Sequence, residues 1–335
     1  MTPAAPAVSV EAAGRLVTVT NPDKVMFPER GETKLDLVRY YLAVQDPLMA
    51  AIGGRPVLMQ RFPDGAMGPS FFQKRVPPRR PEWLQTLQVA TPNGTVSDAL
   101  VAADIAHVLW AVNLGCLGFH VWACHAGDQE HADELRIDLD PPRDAGFEMV
   151  VQAALEVSRL LEELGYNGLP KTTGSRGIHV YVRLTAGWTP LQVRAAAVSL
   201  ARELERRRPD LFTSSWWKEG RGRRVFVDFN QNAPHKTIFG AWSVRARPGA
   251  QVSTPLHWEE LDRVDPDELT METVPPRIVH CGDPWAGARP ASLQRLLELV
   301  NADQQAGLGD APWPPEYPKM PGEPPRVSPS RARSR

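Results

Sequence analysis

Two aspartates lie one residue apart near the middle of the chain, in the segment ELRIDLD at positions 134–140, which two prolines follow. On a β-strand, residues i and i+2 point to the same face, so Asp138 and Asp140 would project together at the rim of a sheet. Carboxylates this close repel each other unless a cation neutralises them, and hard oxygen ligands suit Mg²⁺ or Mn²⁺. The spacing predicts a metal site, although two solvated acids on a half-exposed strand give the same pattern.

A third aspartate, Asp228, lies in the otherwise apolar run VFVDF at positions 225–229. An acid in such a strand needs a partner or a metal ion. Two carboxylates on one strand and one on another can hold two metal ions for in-line phosphoryl transfer. We therefore expect Asp138, Asp140 and Asp228 to be the catalytic residues and the ligands of two divalent ions.

The segment KTTGSRGIHVYV at positions 171–182 combines glycines with polar side chains. Glycines at 174 and 177 let the backbone approach a ligand closely. Three neighbouring side chains offer donors to phosphate or sugar, namely Thr173, Ser175 and Arg176. His179 would lie on the strand that follows. The spacing is not that of a Walker A loop, and a plain hairpin turn is the alternative interpretation.

Composition narrows the class of protein without deciding it. The 335 residues are 42% hydrophobic and 23% charged, with a formal net charge of −1. Such a chain can form one large domain or two fused lobes, and its overall charge does not indicate nucleic-acid binding. Two basic clusters lie within it, one between Arg55 and Arg80 and one at Lys218, Arg221, Arg223 and Arg224. Either cluster could equally be solvated loop charge.

Targeting and redox features point to the cytoplasm. No apolar stretch approaches the roughly 18 residues of a membrane helix, and the first residues do not read as a secretory signal. Three cysteines cannot form a disulfide framework, which fits a reducing compartment. Cys116, His120 and Cys124 would share a strand face, but structural zinc is disfavoured because no fourth ligand stands at standard spacing.

Helical and strand-like patterns alternate, which predicts an α/β or α+β chain. Four helices are predicted, over residues 34–49 after the cap Thr33, 98–113 after Ser97, 147–164, and 190–207 after Thr189. We expect a flexible lead-in at 1–12, one domain at 13–305, and a flexible tail rich in Pro and Arg at 306–335. A soft boundary near residue 130 divides the domain into an N-terminal lobe, about 13–130, and a catalytic lobe, about 131–305.

Together these segments resemble a known family. The order DLD at 138–140, TTGSRGIHV at 172–180, VFVDFNQN at 225–232 and SVRAR at 243–247 resembles the catalytic core of the archaeo-eukaryotic primase superfamily. The similarity is greatest to the polymerase domain of bacterial ATP-dependent DNA ligase D, which serves non-homologous end joining, and extends from about residue 17 to 300. It implies a two-lobed α/β (α+β) fold whose catalytic lobe is a modified RNA-recognition-motif sheet.

The resemblance implies a DNA-dependent nucleotidyltransferase that adds ribo- or deoxyribonucleotides to primer 3′ ends, using two Mn²⁺ or Mg²⁺ ions. His120 and His179 would touch the incoming triphosphate, assisted by Arg176 and Arg245. Thr173 stands where the family reads the ribose, which implies that ribonucleotides are preferred or at least accepted. The full expected nucleotide-binding set is Phe72, His120, Thr173, Ser175, Arg176, His179, Gln231 and Arg245.

The resemblance also implies contacts with DNA. Phe71 and Phe72 match the aromatic pair that stacks on the templating base, although two such residues are often core. Lys24 and Lys34, with Asn21, match a pocket for the 5′-phosphate of a downstream strand, although ordinary surface lysines would look the same. The expected DNA-binding set is Asn21, Lys24, Lys34, Arg61, Phe71, Phe72 and Lys74.

The implied substrates are DNA with gaps, overhangs or 5′-phosphate ends and NTP or dNTP. The sequence contains no ligase or phosphoesterase segment, so we expect a separate ATP-dependent DNA ligase and the Ku end-binding protein as partners, no membrane, and a cytoplasmic, nucleoid-associated location. The role could be end joining, gap filling or primer synthesis. Two alternatives stay open, a metal-dependent nuclease and an inactive DNA-end-binding accessory. A primer that is extended rather than shortened separates the first of these from a polymerase.

Overall fold

The structure is a computed structural model that describes residues 6–90 and 94–326. The helices in these ranges are α1 (Lys34–Ala43), α2 (Gln45–Ile52), α3 (Ile105–Asn113), α4 (Phe147–Glu163), α5 (Pro190–Arg207), α6 (Val274–Cys281) and α7 (Gln294–Gln305). The strands are β1 (Val8–Ala12), β2 (Arg15–Val19), β3 (Val25–Phe27), β4 (Glu32–Thr33), β5 (Pro56–Arg61), β6 (Phe71–Gln73), β7 (Thr86–Ala90), β8 (Val96–Val101), β9 (Cys116–Trp122), β10 (Glu134–Asp140), β11 (Leu169–Thr172), β12 (Ile178–Arg183), β13 (Phe212–Thr213), β14 (Val225–Asp228) and β15 (Thr237–Phe239).

The first large sheet has the strand order β15-β9-β5-β8-β7, and β6 pairs with the end of β5. All its pairings are antiparallel. Five of its strands precede residue 130, but β15 comes from the second half of the chain and pairs with β9. The chain passes from the first sheet to the second between β9 and β10, and residue 130 lies between these strands. It returns to the first sheet once more, at β15.

The second sheet has the order β11-β12-β10-β14-β13, antiparallel except for the β13–β14 pair. The sequence β10-α4-β11-β12-α5-β14 is a split βαβ pattern with two helices on one face. Both α4 and α5 pack against β10. Because side chains alternate along β10, Ile137 and Leu139 lie in the core with 1% and 0% exposure. Asp138 and Asp140 therefore occupy the opposite face, which the helices leave uncovered.

Three of the four predicted helices begin where the sequence placed them, at residues 34, 147 and 190. Thr33 and Thr189 each form a capping box, with Asp36 and Gln192 respectively, at the starts of α1 and α5. The first predicted helix is split, since α1 ends at Ala43 and α2 begins at Gln45. Within the described residues, no helix has the length and apolar character that crossing a bilayer requires.

The predicted helix after Ser97 is wrong in its first half. Ser97 lies in β8, which pairs with β7 as a hairpin. The helix begins only at Ile105, where Asp104 accepts hydrogen bonds from the amides of Ala106 and His107. Residues 96–101 form a strand because they pair with β7, which lies earlier in the chain. The periodicity of residues 98–113 carries no information about that pairing.

Both predicted flexible ends need correction. Within the expected lead-in, residues 8–12 form β1 and pair with β2. Within the expected tail, residues 310–326 are packed, with Trp313 and Tyr317 only 3% and 7% exposed. Composition suggested disorder there, whereas contacts with distant residues supply the burial. Residues 1–5 and 327–335 of these two segments lie outside the described residues.

Candidate active site

Three carboxylates meet on the face of the second sheet opposite α4 and α5. Asp138 and Asp228 are direct cross-strand partners in the antiparallel β10–β14 pair, and Asp140 lies two residues further along β10. One oxygen from each of the three lies within 4.8 Å of the others. Among the described residues this is the one cluster of His, Cys, Asp or Glu side chains suited to a metal ion, so Cys116, His120 and Cys124 do not form a second. The predicted grouping of three aspartates is confirmed.

The electrostatics of the triad favour a bound cation. Burial raises the pKa of Asp138 to about 6, against the opposing charges of Lys171 and Arg245. Loss of solvent, then the charge of Asp138, raises the pKa of Asp140 to about 7. Burial followed by the two neighbouring carboxylates raises the pKa of Asp228 to about 7. A divalent ion at this position would favour the ionised form of all three carboxylates and offset the repulsion between them. The residues present therefore fit the metal that the sequence predicts.

A backbone amide and a side-chain amide from the turn that follows Asp228 orient its carboxylate. Its carboxylate accepts a hydrogen bond from the amide of Asn230 at 3.0 Å and one from the Nε2 of Gln231 at 3.1 Å. These bonds cap the short turn Phe229–Asn232 that follows β14. Asn232 ties the same turn to β10, since its side chain exchanges hydrogen bonds with the backbone of Arg136 at 2.8 and 2.7 Å. Gln231, which the sequence placed with the nucleotide, therefore touches a metal-site residue directly.

His179 lies beside the triad on β12. Its Nε2 is 3.3 Å from Asp138 Oδ1, and the two residues are cross-strand partners. Burial, then the charges of Lys171 and Arg245, holds the pKa of His179 well below its ordinary value, so the ring is neutral at neutral pH. Its Nδ1 is buried and has no hydrogen-bond partner in the part of the chain that the structure describes.

Lys171 is a buried residue of this site that the sequence analysis quoted but did not assign. It pairs with His179 across β11 and β12, and its Nζ donates to Ser253 Oγ at 2.5 Å. Burial lowers its pKa well below the ordinary value, while the charge of Asp138 opposes that change. The only signal in the sequence was its position two residues before the glycine-containing turn.

The predicted turn after β11 is held by two arginines. Arg245 donates from Nε to the carbonyl of Thr173 at 2.7 Å, and Arg247 donates to Ser175 Oγ at 2.9 Å. Gly174 has φ of +68°, and a Cβ there would lie 2.7 Å from Arg245. The glycine is thus required for packing within the protein. Arg176, by contrast, is exposed and donates to the carbonyl of Arg143 at 2.8 Å.

A row of side chains in contact, with Arg245 at one end and Phe72 at the other, joins this turn to the first sheet. The Arg245 guanidinium lies 3.5 Å from the centroid of Phe239, whose ring meets His120 edge-on at 5.2 Å. His120 in turn meets Phe72 edge-on, also at 5.2 Å. Burial, then the charges of Arg245 and Lys171, lowers the pKa of His120 to about 3, so it is neutral at neutral pH. The structure therefore brings Phe72, His120 and Arg245, from three distant segments, into one continuous surface beside the triad.

The second basic cluster contributes one arginine to the metal face. Arg221 lies over the ring of Phe226 at 3.5 Å and donates to the carbonyls of Ser215 and Trp216. Its charge, with that of Arg176, lowers the pKa of Asp140 against the stronger effects that raise it. The sequence analysis noted this cluster but assigned no residue in it, because four neighbouring basic residues do not indicate which one turns inward.

Comparison with known proteins identifies the family. Residues 33–285 match the family model of the LigD primase-polymerase domain. The chain belongs to the LigD primase-polymerase family. The multifunctional non-homologous end joining protein LigD of Mycolicibacterium smegmatis is 31% identical over 309 residues, which cover 90% of this chain and 40% of that protein. The bifunctional non-homologous end joining protein LigD of Bacillus subtilis is 33% identical over 268 residues, 79% of this chain and 43% of that protein.

A solved member of the LigD family supports the same assignment. The polymerase domain from Mycobacterium tuberculosis ligase D in complex with DNA matches with a TM-score of 0.76 at 32% identity, over 81% of this chain and 97% of that one. The chain spans about two fifths of the length of the curated relatives named above. The predicted resemblance and the predicted mixed α/β fold class are confirmed.

The residues predicted to bind a 5′-phosphate lie together in the N-terminal part of the LigD-type fold. The amide of Lys34 donates to the carbonyl of Lys24 at 2.8 Å. The Lys34 ammonium is buried and donates to the carbonyls of Thr20 and Asn113 at 2.7 and 3.1 Å. Burial, then the charge of Lys24, lowers the pKa of Lys34. Asn21 is exposed with φ of +48°. Whether this group binds phosphate stays a prediction.

Phe71 and Phe72 are 47% and 53% exposed, so the alternative that they belong to the core is wrong. As consecutive strand residues they point to opposite faces. Phe72 lies against His120, whereas Phe71 lies 5.2 Å from the guanidinium of Arg61. Arg61 is fixed by hydrogen bonds to Leu114 O and Gln73 Oε1, both at 2.7 Å. Lys74 is exposed and lines a cavity of about 330 Å³ next to Gln231, Trp122 and Lys236.

Proposed function

We propose that this chain is a DNA-dependent nucleotidyltransferase that extends primer 3′ ends at gaps and double-strand breaks, with a role in non-homologous end joining or gap filling. The observation that carries the proposal is the aspartate triad, which lies on the face of a split βαβ sheet opposite the two helices, beside a neutral histidine. Its membership of the LigD primase-polymerase family supports the same activity.

The metal site would be formed by Asp138, Asp140 and Asp228. Two Mg²⁺ or Mn²⁺ ions, when bound, lower the pKa of an attacking hydroxyl and neutralise the leaving pyrophosphate. The chain's own contribution is to keep three carboxylates converged although each carries a raised pKa. Gln231 and the amide of Asn230 fix the orientation of Asp228 through its two oxygens.

The triphosphate would lie between the triad and the turn at 173–177. Arg245 is already fixed there by its bond to Thr173 O and its stacking on Phe239, so little ordering is needed when it binds an anion. His179 lies at the same edge, with its Nε2 3.3 Å from Asp138 Oδ1, and its neutral ring would place one N–H donor between the triad and the phosphates. Neutral His120 lies between Phe72 and Phe239, where it can donate one hydrogen bond without carrying a charge.

The sugar and the base would be recognised on either side of this anion site. Thr173 Oγ1 accepts hydrogen bonds from the backbone amides of Ser175 and Gly177, both at 3.2 Å. Its own hydroxyl hydrogen is therefore free to donate to a ribose hydroxyl. This supports acceptance of ribonucleotides. The exposed face of Phe72 suits stacking on a base, a contact that every base can make.

DNA as the partner is supported by the solved LigD polymerase domain, which is in complex with DNA. We propose that this chain takes DNA with gaps, overhangs or 5′-phosphate ends, and acts in the cytoplasm, associated with the nucleoid. A separate ATP-dependent ligase and the Ku end-binding protein would complete the repair. The curated relatives, named as end-joining proteins, support this setting.

A primer-extension assay tests the proposal. A labelled primer annealed across a short gap would be incubated with the protein and either NTP or dNTP, in Mg²⁺ or in Mn²⁺. We expect a longer product that requires both nucleotide and divalent ion, and no extension in EDTA. A shortened primer would identify a nuclease instead. Tight binding of gapped DNA with no change in primer length under all four conditions would identify an inactive end-binding protein.

A further inference from the structure

Residues 310–326, here called the C-terminal strap, pack onto the turn that carries Asp228. The strap lies outside residues 33–285, which match the LigD family model. It contains no helix or strand, yet Ala311, Trp313, Tyr317 and Glu323 are each at most 7% exposed. A segment without regular backbone pairing becomes this buried only through specific side-chain contacts, and those contacts converge on one arginine.

Arg194, on α5, is the centre of these contacts and is 2% exposed. Its Nη1 donates to Asp310 Oδ1 at 2.7 Å, and its Nη2 donates to the carbonyls of Ala311 at 2.9 Å and Pro312 at 3.3 Å. The Trp313 ring centroid lies 3.9 Å from its guanidinium carbon. The strap therefore pairs a buried cation with Asp310 and covers one face of it, which offsets part of the cost of burying that charge.

The remaining guanidinium donor points to the metal site. Arg194 Nε donates to Asn230 Oδ1 at 2.8 Å, and Asn230 Nδ2 donates to the strap carbonyl of Pro312 at 3.1 Å. The backbone amide of the same Asn230 donates to Asp228 Oδ1. One asparagine thus connects the strap and Arg194 to a carboxylate of the triad, with two hydrogen bonds on its side chain and one on its backbone.

The strap is fixed at further points along its length. Tyr317 donates its hydroxyl hydrogen to Pro234 O, and Glu316 forms an ion pair with Lys236, so the chain after Asp228 is held at three successive places. Glu323 accepts hydrogen bonds from the amides of Trp313 at 2.8 Å and Met320 at 3.0 Å, which closes the strap on itself.

We propose that the C-terminal strap positions Asp228 for metal binding, through Trp313, Arg194 and Asn230. Arg194 and Asn230 are positioning residues, since neither belongs to the triad. The physical reason is that Asp228 is the last residue of the short strand β14, next to the edge of the sheet, and leads into a turn with little regular backbone bonding. Outer partners that orient a metal ligand typically contribute about 10- to 100-fold to metal affinity. The inference rests on the proposed metal site.

The test uses the full chain and variants of Trp313. Trp313→Ala removes the ring from Arg194 and the bond from Nε1 to Asp310, whereas Trp313→Phe keeps a ring over the guanidinium. Trp258→Ala is the control, because Trp258 is partly buried and likewise donates its ring N–H, to Gly168 O at 2.8 Å, next to β11 at the opposite edge of the second sheet. Asp310→Asn, a milder change of the same contact, carries the test if Trp313→Ala does not fold.

Mn²⁺ affinity, measured by the electron paramagnetic resonance signal of free Mn²⁺, is the first readout. We expect Trp313→Ala to bind Mn²⁺ about tenfold more weakly than wild type, with affinity largely restored in Trp313→Phe. Trp258→Ala should lower the melting temperature and leave Mn²⁺ affinity unchanged. Unchanged Mn²⁺ affinity in Trp313→Ala, with the same loss of melting temperature as Trp258→Ala, would overturn the proposal.

Hydrogen exchange in metal-free protein is the second readout and needs no bound ion. The amide of Asn230 should exchange at least tenfold faster in Trp313→Ala than in Trp313→Phe, while amides of β11 stay protected. If wild type binds no Mn²⁺, the proposed metal site fails, and the exchange result decides the strap separately. Faster exchange at Asn230 in Trp313→Ala then supports the part of the proposal in which the strap holds the residues around Asp228, and equal exchange in both variants overturns that part.

Discussion

Asp138 and Asp228 are direct cross-strand partners, so two carboxylates face each other across an antiparallel pair in which like charges destabilise the sheet. The protein keeps this arrangement with Asp140 close by, and the pKa of all three is raised. If these aspartates served only to stabilise the fold, an uncharged residue at either position would serve better. The triad is therefore a site where folding stability is given up for a binding function, and that loss should be measurable.

The first prediction concerns stability as a function of pH in metal-free protein. Carboxyl groups whose pKa is about 6 to 7 when folded and roughly 4 when unfolded contribute stability that is complete below about pH 4. That contribution is lost as pH rises through 6 to 7. Asp228→Asn should therefore be more stable than wild type at pH 8 in EDTA, by roughly 1–3 kcal/mol, with the difference shrinking towards pH 4.

Urea unfolding at pH 5 and pH 8 measures this difference. Asp262→Asn is the control, since it removes the same charge from a side chain that is 67% exposed. Adding Mn²⁺ at pH 8 should stabilise wild type more than Asp228→Asn, because a ligand that binds only the folded state raises its stability. A wild-type protein that is more stable than Asp228→Asn at pH 8 without metal would contradict the prediction.

The second prediction separates catalysis from DNA binding. Asp138→Ala or Asp228→Ala should reduce nucleotide addition by about 10³-fold or more, because each removes a ligand of the shared metal site. Binding to gapped DNA should survive, since the residues expected to contact DNA lie elsewhere. Primer extension and fluorescence anisotropy measure the two properties. Wild-type activity in either variant would show that the triad is not the catalytic site.

Local patterns in the sequence predicted the parts of the site that depend on neighbouring residues. The two-residue period of β10 placed Asp138 and Asp140 on one face, and the capping boxes of Thr33 and Thr189 marked α1 and α5. The family resemblance added Phe72 and Arg245, which the structure joins through His120 and Phe239. No local pattern in the sequence could have indicated that row, because its members come from three separate segments.

Contacts between distant residues explain what the sequence analysis missed. The strap composition is typical of disorder, but Asp310 reaches an arginine 116 residues earlier in the chain. Lys171 is buried because Ser253, 82 residues away, accepts its hydrogen bond. Ser97 enters a strand because β7 pairs with it. In each case the deciding partner lies far along the chain, where neither periodicity nor composition can identify it.

The third prediction assigns different substrates to the two adjacent phenylalanines. Phe72→Ala should raise the KM for the incoming nucleotide, because Phe72 lies against His120 on the triad side. Phe71→Ala should weaken template DNA binding instead, since Phe71 lies over Arg61 on the other side of the strand. Loss of one stacked base corresponds to about 1–3 kcal/mol, or roughly 5- to 150-fold. Both side chains are about half exposed, so folding should be unaffected.

Steady-state kinetics with varied nucleotide, and separately with varied DNA, distinguish the two effects. Conservative Phe72→Tyr and Phe71→Tyr variants keep a stacking ring and should restore most of each lost property. If Phe71→Ala and Phe72→Ala each changed the KM for nucleotide and the KM for DNA to the same extent, the two rings would act as one platform. That result would contradict their placement on opposite faces of the strand.

Lys34→Ala needs separate treatment before the phosphate pocket can be tested. Lys34 is 5% exposed and its ammonium donates to the carbonyls of Thr20 and Asn113, so the variant removes two charge-assisted hydrogen bonds from a part-buried site. Such a loss costs about 1–3 kcal/mol. Lys24→Ala is expected to be milder, because Lys24 is only half-buried, donates to Pro63 O and lies 3.9 Å from the exposed Asp64.

The last prediction is that Lys24 and Lys34 together recognise a downstream 5′-phosphate. The charge of Lys24 helps to lower the pKa of Lys34, so the two ammonium groups repel each other, and an anion bound by both would relieve that repulsion. The Lys24→Ala, Lys34→Ala double variant should bind gapped DNA with a 5′-phosphate no better than gapped DNA without it. Its affinity should also depend less steeply on salt. Arg263→Ala, which removes one exposed charge, should keep the discrimination, and a simple primer-template should still be extended by the double variant. Continued discrimination by the double variant in anisotropy titrations would place the phosphate pocket elsewhere on the molecule.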